Sequence, residues 1–347
     1  MKVHKLILIL IVFFKTETLF SKNETFNVNN IQLEKNDKIT IKTLSDKAIK
    51  KGFNQLISKI LLKEDSDKLS DLNFSSIKQL VKYYQITNIP AEKSNLELVN
   101  FNISFDKDKI HDLFYKRGIL YSKINDRELY ILPVLINENE IYIFNNNFFY
   151  ENWNKIYNDD LVEFVLPLEN IEIIKNIIDN KNSLINLNLI ELFREYSNKN
   201  LALILIEENK TSNKKIYIKT IIQGKKISKN LYLKNLETND KKFYETVIIE
   251  AKKELINLIK SNNLIDIRTP SFLNTKLNLN KKSNLVELNI RIKKIDSIEN
   301  IYVQEFNKDY MNLRIKYLGK LDKLINDLKK ENINLQLINN RWVIKTL

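Results

Sequence analysis

A chain of 347 residues with 44% apolar and 10% aromatic side chains is long enough for two hydrophobic cores and too apolar for wholesale disorder. Its 56 Lys and Arg against 43 Asp and Glu give a net charge of +13, but seven of the 56 are Arg and the lysines alternate with acids, which argues against a nucleic-acid partner. The absence of cysteine excludes disulfides, thiolate-bound metals and a lipoprotein anchor. The charge leaves room for a weak attraction to an anionic membrane or cell-wall surface.

The first 21 residues have the composition of a secretory signal peptide. Two lysines within the first five residues precede an unbroken apolar run from Leu6 to Phe14, and small or polar residues follow up to Ser21. A run of about nine residues is too short to span a bilayer as a helix, which takes about 20. We therefore expect a cleaved signal peptide at 1–21 and a periplasmic mature protein. An uncleaved anchor or a buried first helix is the alternative, because the region before the cut also contains a lysine and a phenylalanine.

Helical patterns dominate the next part of the chain. Apolar residues recur at helical spacing from Thr43 to Leu62, and Thr43 with Asp46 makes a capping-box sequence. A second, shorter helix is predicted from Ser75 to Tyr84.

The stretch from Leu96 to Ile136 is predicted to form a strand, a helix and a tight hairpin. We expect Asp106 or Asp108 to cap the helix and Gly118 to end it in a left-handed conformation. The Asn-Asp pair at 125 and 126 suits a two-residue hairpin turn.

A second copy of this pattern closes the chain. Residues 310–346 can be aligned with the first copy so that Asn339-Asn340-Arg341 falls on Asn125-Asp126-Arg127. Two similar strand-helix-hairpin (βαββ) modules are the simplest interpretation.

Several elements are predicted between the two modules. Pro167 fits the first turn of a helix, and the six apolar residues 201–206 predict a central strand covered on both faces. A hairpin is expected around Gly224 and a long amphipathic helix over 241–261. Residues 285–295 alternate between apolar and polar, which predicts a strand.

These elements predict an α+β protein of two domains with mixed and antiparallel sheets flanked by helices. We place the N-terminal α+β domain at residues 22–155 and the C-terminal α+β domain at residues 156–347, with a polar loop at the boundary.

Several segments together resemble an uncharacterised family of proteobacterial envelope proteins, the domain of unknown function numbered 2066. The segments are FDKDKIHDLFYKRGILYSKINDRELYILPVLI, PLENIEIIKNII, FREYSNKNLALILIEE and IYIKTIIQGKKISKNLYL. Phe105-Asp106, Arg127 and Tyr196 match the family pattern, whereas Glu128 stands where the family has proline. The likeness covers about residues 40–320 and implies a periplasmic location without a known activity. A looser likeness of fold links the modules to domains of secretins and outer-membrane assembly factors.

Few residues suit catalysis or cofactor binding. The four glycines stand alone, so neither a phosphate loop nor a dinucleotide fingerprint is present. Asp108, His111 and Asp112 share a helix face and could offer metal ligands, but a solvated helix start is the simpler interpretation. We assign no catalytic, cofactor-binding or metal-binding residue. A carboxylate pair contributed by distant residues stays an open alternative.

Aromatic and basic residues in and after the first module form a candidate interaction patch: Tyr121, Arg127, Tyr130, Phe148, Phe149 and Trp153. Packing between hairpin and helix is the alternative explanation. The sequence therefore favours an exported, non-enzymatic interaction or assembly module with a protein partner in the cell envelope. A carboxylate-dependent hydrolase acting on cell-wall or sugar substrates is the alternative.

Overall fold

A computed structural model describes residues 25–35, 39–89, 97–124, 126–138, 140–157, 161–208, 213–234, 240–279 and 285–346. The predicted signal peptide at 1–21 lies outside this range. Within the described ranges, no helix has both the length and the apolar character needed to cross a membrane.

The described strands are numbered in chain order. They are β1 (Asn27–Lys35), β2 (Val81–Ile89), β3 (Glu97–Phe105), β4 (Tyr121–Ser122), β5 (Glu128–Asn137), β6 (Glu140–Tyr142), β7 (Glu163–Val165), β8 (Asn200–Glu208), β9 (Asn213–Ile222), β10 (Lys225–Lys234), β11 (Leu264–Ile265), β12 (Ser271–Asn278), β13 (Ile298–Phe306), β14 (Tyr310–Tyr317), β15 (Ile333–Ile338) and β16 (Arg341–Thr346).

The described α-helices are numbered in the same way. They are α1 (Ile41–Ile60), α2 (Lys63–Asp67), α3 (Phe74–Gln79), α4 (Lys107–Arg117), α5 (Phe148–Asn152), α6 (Ile171–Asp179), α7 (Leu189–Leu192), α8 (Asp240–Asn262), α9 (Leu285–Lys293) and α10 (Leu321–Lys330).

The predicted α+β class with mixed sheets flanked by helices is confirmed, but the chain divides at other positions than the sequence predicted. Among the described residues, unit 1 comprises those within 25–123 and 264–346, and unit 2 comprises those within 124–263. The predicted boundary at 155/156 falls inside unit 2. The reason is that β5 pairs in parallel with β8 along nine residues, which places the chain on both sides of that boundary in one sheet.

The first sheet of unit 1 has the strand order β1-β3-β2, and both pairs are antiparallel. Helix α1 covers it with the predicted apolar stripe, in which Leu44, Ala48 and Leu56 are buried. Its N-cap is Thr40, not the predicted Thr43; the Thr40 hydroxyl accepts a hydrogen bond from the Thr43 N–H at 3.2 Å.

The predicted helix over 75–84 is wrong in its second half. Helix α3 ends at Gln79, and the chain continues as strand β2 from Val81. Residues 77, 80, 81 and 84 do have helical spacing, but the segment from Val81 onward is rich in β-branched and aromatic side chains, and pairing with β3 decides its conformation.

The second sheet of unit 1 has the order β13-β14-β12-β16-β15. Helices α9 and α10 both pack on one of its faces. The contacts are made by Leu288 and Ile292 of α9 and by Leu324 and Leu328 of α10. The predicted strand at 285–295 is therefore wrong, because this segment forms α9. Its alternating apolar residues also contain a helical face, and the buried residues are those three or four positions apart.

The second predicted module is confirmed, and the first is confirmed only in part. Strand β14, helix α10 and the β15–β16 hairpin follow the prediction. In the first copy, the strand and helix form as expected, with Asp106 as N-cap and Gly118 at φ 59°. The predicted hairpin between residues 121 and 136 does not form: β4 pairs with β11, and β5 joins the sheet of unit 2. Almost every residue of β5 from Leu129 to Leu135 is buried, so this strand needs a covered sheet on both sides.

Unit 2 contains a sheet of order β10-β9-β8-β5-β6, with β7 also paired to β5. Strand β8 is central and buried on both faces from Leu201 to Ile206, as predicted. The β9–β10 hairpin turns at Gln223 and Gly224, both at positive φ. Pro167 does not open a helix as predicted. Helix α6 begins later, behind Asn170, whose side-chain oxygen accepts a hydrogen bond from the Glu172 N–H at 2.7 Å.

Helix α1 lies close to the first sheet of unit 1 at Gly52. A Cβ atom there would lie 2.8 Å from Ile31 Cδ1 and 3.0 Å from Ile103 Cδ1, and both isoleucines are buried. We expect Gly52→Val to lower the free energy of unfolding by about 1–3 kcal/mol through overpacking. Urea denaturation measures it. Lys50→Val, on the exposed side of the same helix, should change stability by less than about 0.5 kcal/mol; equal effects at the two positions would contradict the close approach.

Candidate interaction surfaces and buried charges

The six residues of the predicted interaction patch do not form one exposed surface. Tyr121 is buried in the core of unit 1, and Phe149 and Trp153 are buried in a core of unit 2. Tyr130 is partly buried and stacks on Tyr196 with ring centroids 4.2 Å apart. Phe148 is partly buried against the same core of unit 2, and Arg127 is exposed. The three buried rings therefore serve packing, which is the alternative explanation given by the sequence.

His111 lies on the buried side of α4, in an aromatic and ionic environment. Its ring centroid is 5.5 Å from that of Phe26 and 5.4 Å from that of Tyr121. Nδ1 lies 3.3 Å from Glu299 Oε1, and Nε2 is buried without a hydrogen-bond partner among the described residues. Lys107 Nζ is 3.7 Å from the same Glu299 oxygen. These contacts hold the pKa of Glu299 below its usual range, with the His111 hydrogen bond as the largest cause.

The metal site considered on α4 does not assemble in the described residues. Asp112 Oδ2 pairs with Lys116 Nζ at 2.6 Å, and Asp108 is an exposed first-turn residue. Within the described part of the chain, no three histidine, aspartate or glutamate side chains are grouped closely enough to hold a metal ion.

Two further acids continue the ionic cluster around His111. Asp296 lies 3.3 Å from Lys123 Nζ and accepts a hydrogen bond from the Thr25 hydroxyl at 3.2 Å. Asp327 lies 3.9 Å from the same Lys123 Nζ. Lys323 donates a hydrogen bond to the Lys123 carbonyl, and burial together with the neighbouring Lys123 lowers the Lys323 pKa to about 8.

This cluster links the two sequence segments of unit 1. Lys107, His111 and Lys123 belong to the first segment, and their carboxylate partners Glu299 and Asp296 belong to the second. Each of the two carboxylates lies within 4 Å of a cationic or imidazole nitrogen. A general base needs a carboxylate or imidazole that can reach a substrate, so the arrangement suits a structural role better than catalysis.

Lys252 is a fully buried cation in unit 2. Its Nζ donates to the carbonyl oxygens of Ile156 and Tyr157 at 2.8 and 2.7 Å, and it lies 5.9 and 5.1 Å from the ring centroids of Trp153 and Phe164. Burial lowers the pKa of Lys252 to about 8. The lysine fixes the end of the segment after α5.

A polar cleft of about 590 Å³ lies between α6 and the segment that precedes β8 in unit 2. Four exposed acids line it together with Lys175 and Arg194. The acids are Glu172, Asp179, Glu191 and Glu195.

Most sheet edges in the described residues carry features that discourage pairing with another chain. Strand β10 has four lysines, β1 and β13 have bulges, and β6 and β15 are short. Strand β2 also has a register shift, between Val81 and Tyr83, and carries Lys82 at that point. Beyond the shift its register with β3 is regular up to Ile89, residues 84–89 include no charged side chain, and Tyr84 and Ile86 are 42% and 37% exposed.

The buried Lys252 predicts a pH-dependent contribution to stability. An unfolded lysine has a pKa of about 10.4, so between pH 8 and 10.4 the unfolded chain binds more protons than the folded one, and stability rises with pH. We expect wild type to gain about 1–3 kcal/mol relative to Lys252→Met across this window. Urea denaturation at several pH values measures the difference. Lys253→Met changes an exposed lysine, so its free energy of unfolding should depend on pH as that of wild type does. If Lys252→Met showed the same pH dependence as wild type, the lowered pKa of Lys252 would be contradicted.

The His111–Glu299 contact predicts a loss of stability at acidic pH. Because the pKa of Glu299 is lowered on folding, its contribution is present above the unfolded value of about 4.3 and is lost as the pH falls through the lowered value. Glu299→Gln should cost about 1 kcal/mol at pH 7, and the deficit should shrink below pH 4. Thermal unfolding at pH 7 and pH 3 tests this. The exposed pair partner Asp112→Asn is the control and should change stability little; a Glu299→Gln deficit that does not change with pH would argue against an ionised carboxylate.

Comparison with known proteins gives one distant similarity. The chain is 24% identical over 277 residues to the xylose repressor of Staphylococcus xylosus, which is 78% of this chain and 62% of the repressor. The chain thus spans less than two thirds of the repressor's length. No family model and no solved structure matches the chain. The resemblance to the domain of unknown function 2066 accordingly stays a prediction.

Proposed function

We propose that this protein is an exported, non-enzymatic interaction module of the bacterial cell envelope that accepts an extended segment of a partner protein along strand β2. The signal-peptide pattern at 1–21 and the resemblance to a family of envelope proteins support the periplasmic location. Among the described strands, β2 lies at the edge of its sheet, and this position is the single observation that carries the interaction.

Strand β2 has the properties that strand addition requires. An edge strand presents unpaired backbone N–H and C=O groups, which give affinity, and its exposed side chains give specificity. The uncharged run from Tyr84 to Ile89 could pair with a segment of similar length. Tyr84 and Ile86 lie two residues apart, so they project from the same face and offer an apolar contact to one side of the incoming strand.

A hydrolase is the second candidate, and the cleft of unit 2 is its best location. Glycoside hydrolysis by two carboxylates requires an acid and a partner about 5 to 9 Å apart. Glu172, Glu191 and the other acids of the cleft supply suitable groups, but all four are exposed, whereas a general acid is normally shielded from water. The interaction function is therefore preferred.

The similarity to a repressor points to a third class, gene regulation, for which the net charge of +13 would be suitable. That class requires the chain to remain in the cytoplasm. The location of the protein therefore separates it from the two envelope functions.

Location and strand addition can be tested in one series of cells. We expect the tagged full-length chain in the periplasmic fraction, with a mature N-terminus after Ser21. A photo-crosslinking residue at the exposed position Gln85 should give a defined adduct with an envelope protein. Ile86→Lys should reduce that adduct about tenfold, since a charge on an edge strand disfavours pairing.

Tyr232→Lys is the matched control, because it places the same charge on an exposed aromatic position of another edge strand, β10. It should leave the adduct unchanged. An intact Met1 in the soluble cytoplasmic fraction would overturn the envelope location. An adduct equally strong in Ile86→Lys and wild type would overturn the role of β2.

A further inference from the structure

The five-stranded sheet of unit 1 has a second face that points away from α9 and α10. Both helices pack on the face that carries Leu273, Ile315 and Ile344. Because side chains alternate along a strand, the neighbouring positions of β12, β13 and β14 project from the opposite face. We call this the open face and define it by Phe272, Lys276, Tyr302, Tyr310, Arg314 and Lys316.

The open face is positively charged. Its definition includes three cations, Lys276, Arg314 and Lys316. The strand register places Arg341 and Lys345 of β16 on the same face, together with one carboxylate, that of Glu305. Both carboxylate oxygens of Glu305 already accept a hydrogen bond, one from the Tyr310 hydroxyl and one from the Asn312 amide, each at 2.7 Å. Among the described residues, no carboxylate forms an ion pair with the remaining cations, and Glu299 interacts with Lys316 only at longer range. The face therefore complements an anionic ligand.

Aromatic rings hold two of these cations in place. Arg314 Cζ lies 4.2 Å from the ring centroid of Phe272, and Lys276 Nζ lies 4.1 Å from that of Tyr310. Phe272 is 47% exposed and Tyr302, opposite Arg314 on β13, is 44% exposed. A cation stacked on a ring loses less conformational entropy when an anion binds, so the pairs are organised in advance.

Carboxamide side chains occupy most of the remaining outward positions. Asn274 and Asn278 lie on β12, Asn300 on β13, and Asn334 and Gln336 on β15. An amide both donates and accepts hydrogen bonds, as the hydroxyl groups of a sugar require. Aromatic rings offer an apolar surface for the faces of sugar rings, and Arg binds carboxylates through paired N–H groups.

We propose that the open face binds an acidic glycan, a polymer of sugars that carry carboxylate groups. Arg314, Lys276 and Lys316 contact the carboxylates, the exposed rings of Phe272 and Tyr302 contact the sugar faces, and the amides contact the hydroxyls. A single-stranded nucleic acid is the less favoured occupant. The amides at the outward positions suit the many hydroxyl groups of a glycan, whereas a nucleic acid presents chiefly phosphates and bases.

This inference goes beyond the strand-accepting function and does not depend on it. The open face lies on the C-terminal sheet of unit 1, whereas β2 is the edge of the N-terminal sheet. A binding measurement on the purified chain can therefore fail while strand addition stands, and the reverse also holds.

The test titrates fluorescently labelled oligogalacturonate into the purified full-length protein at low ionic strength. We expect saturable binding that weakens with added salt. Arg314→Gln should lower the affinity about tenfold through loss of a charge-assisted hydrogen bond, and Phe272→Ser should lower it by a similar factor. Both positions are exposed, so unfolding curves should stay close to wild type.

Lys229→Gln on β10 of unit 2 is the matched control for the loss of one charge and should bind like wild type. Neutral dextran fragments should not bind. Oligogalacturonate affinity unchanged in both Arg314→Gln and Phe272→Ser would overturn the open face as the site. Tighter binding of oligo-dT than of oligogalacturonate, lost in Phe272→Ser, would overturn the glycan in favour of a single-stranded nucleic acid.

Discussion

Unit 1 depends on the pairing of two very short strands. In the antiparallel pair β4–β11, Tyr121 lies opposite Ile265 and Ser122 opposite Leu264, so the chain returns to unit 1 beside the point where it left. This pairing brings the second segment of unit 1 beside the first, although most buried residues of the second segment form a core of their own. Ile265 and Leu318 complete the hydrophobic cluster around Phe114 and Tyr121, and the ions around Asp296 extend the same junction. A two-residue ladder is sufficient only because packing and charge act on both sides of it.

Local signals predicted most elements, and the failures occurred where long-range pairing decides. Three of the correct predictions rest on local or compositional properties. Asp106 caps a helix, Gly118 ends it at positive φ, and the run from Leu201 to Ile206 is fully buried. The segments 81–84 and 285–293 satisfy both a helical and an alternating pattern. The choice between them rests on neighbours far along the chain, such as β3 for β2 and the five-stranded sheet for α9.

The candidate site was less predictable than the fold for a related reason. The aromatic residues between 121 and 153 are close in sequence, but Tyr121 and Trp153 belong to different cores, so proximity in sequence did not make a surface. His111 could be singled out, but Glu299 and Asp296 are brought to it by the β4–β11 junction, and the sequence contains no local sign of that contact. The open face combines β12 and β14 with β13, and β13 has no regular alternation of buried and exposed residues.

The basic character of the chain has two physical causes that composition cannot separate. Lys252, which is buried, and Lys323, which is partly buried, donate hydrogen bonds to main-chain carbonyls and have a lowered pKa. Arg314 and Lys276 are instead held on exposed rings, where their charge acts on the solvent. A sheet covered by helices on one face must solvate the other or bind something there. Here the uncovered face gathers cations, rings and amides on neighbouring strands, and this arrangement, more than the total charge of +13, is the basis on which we propose an anionic ligand.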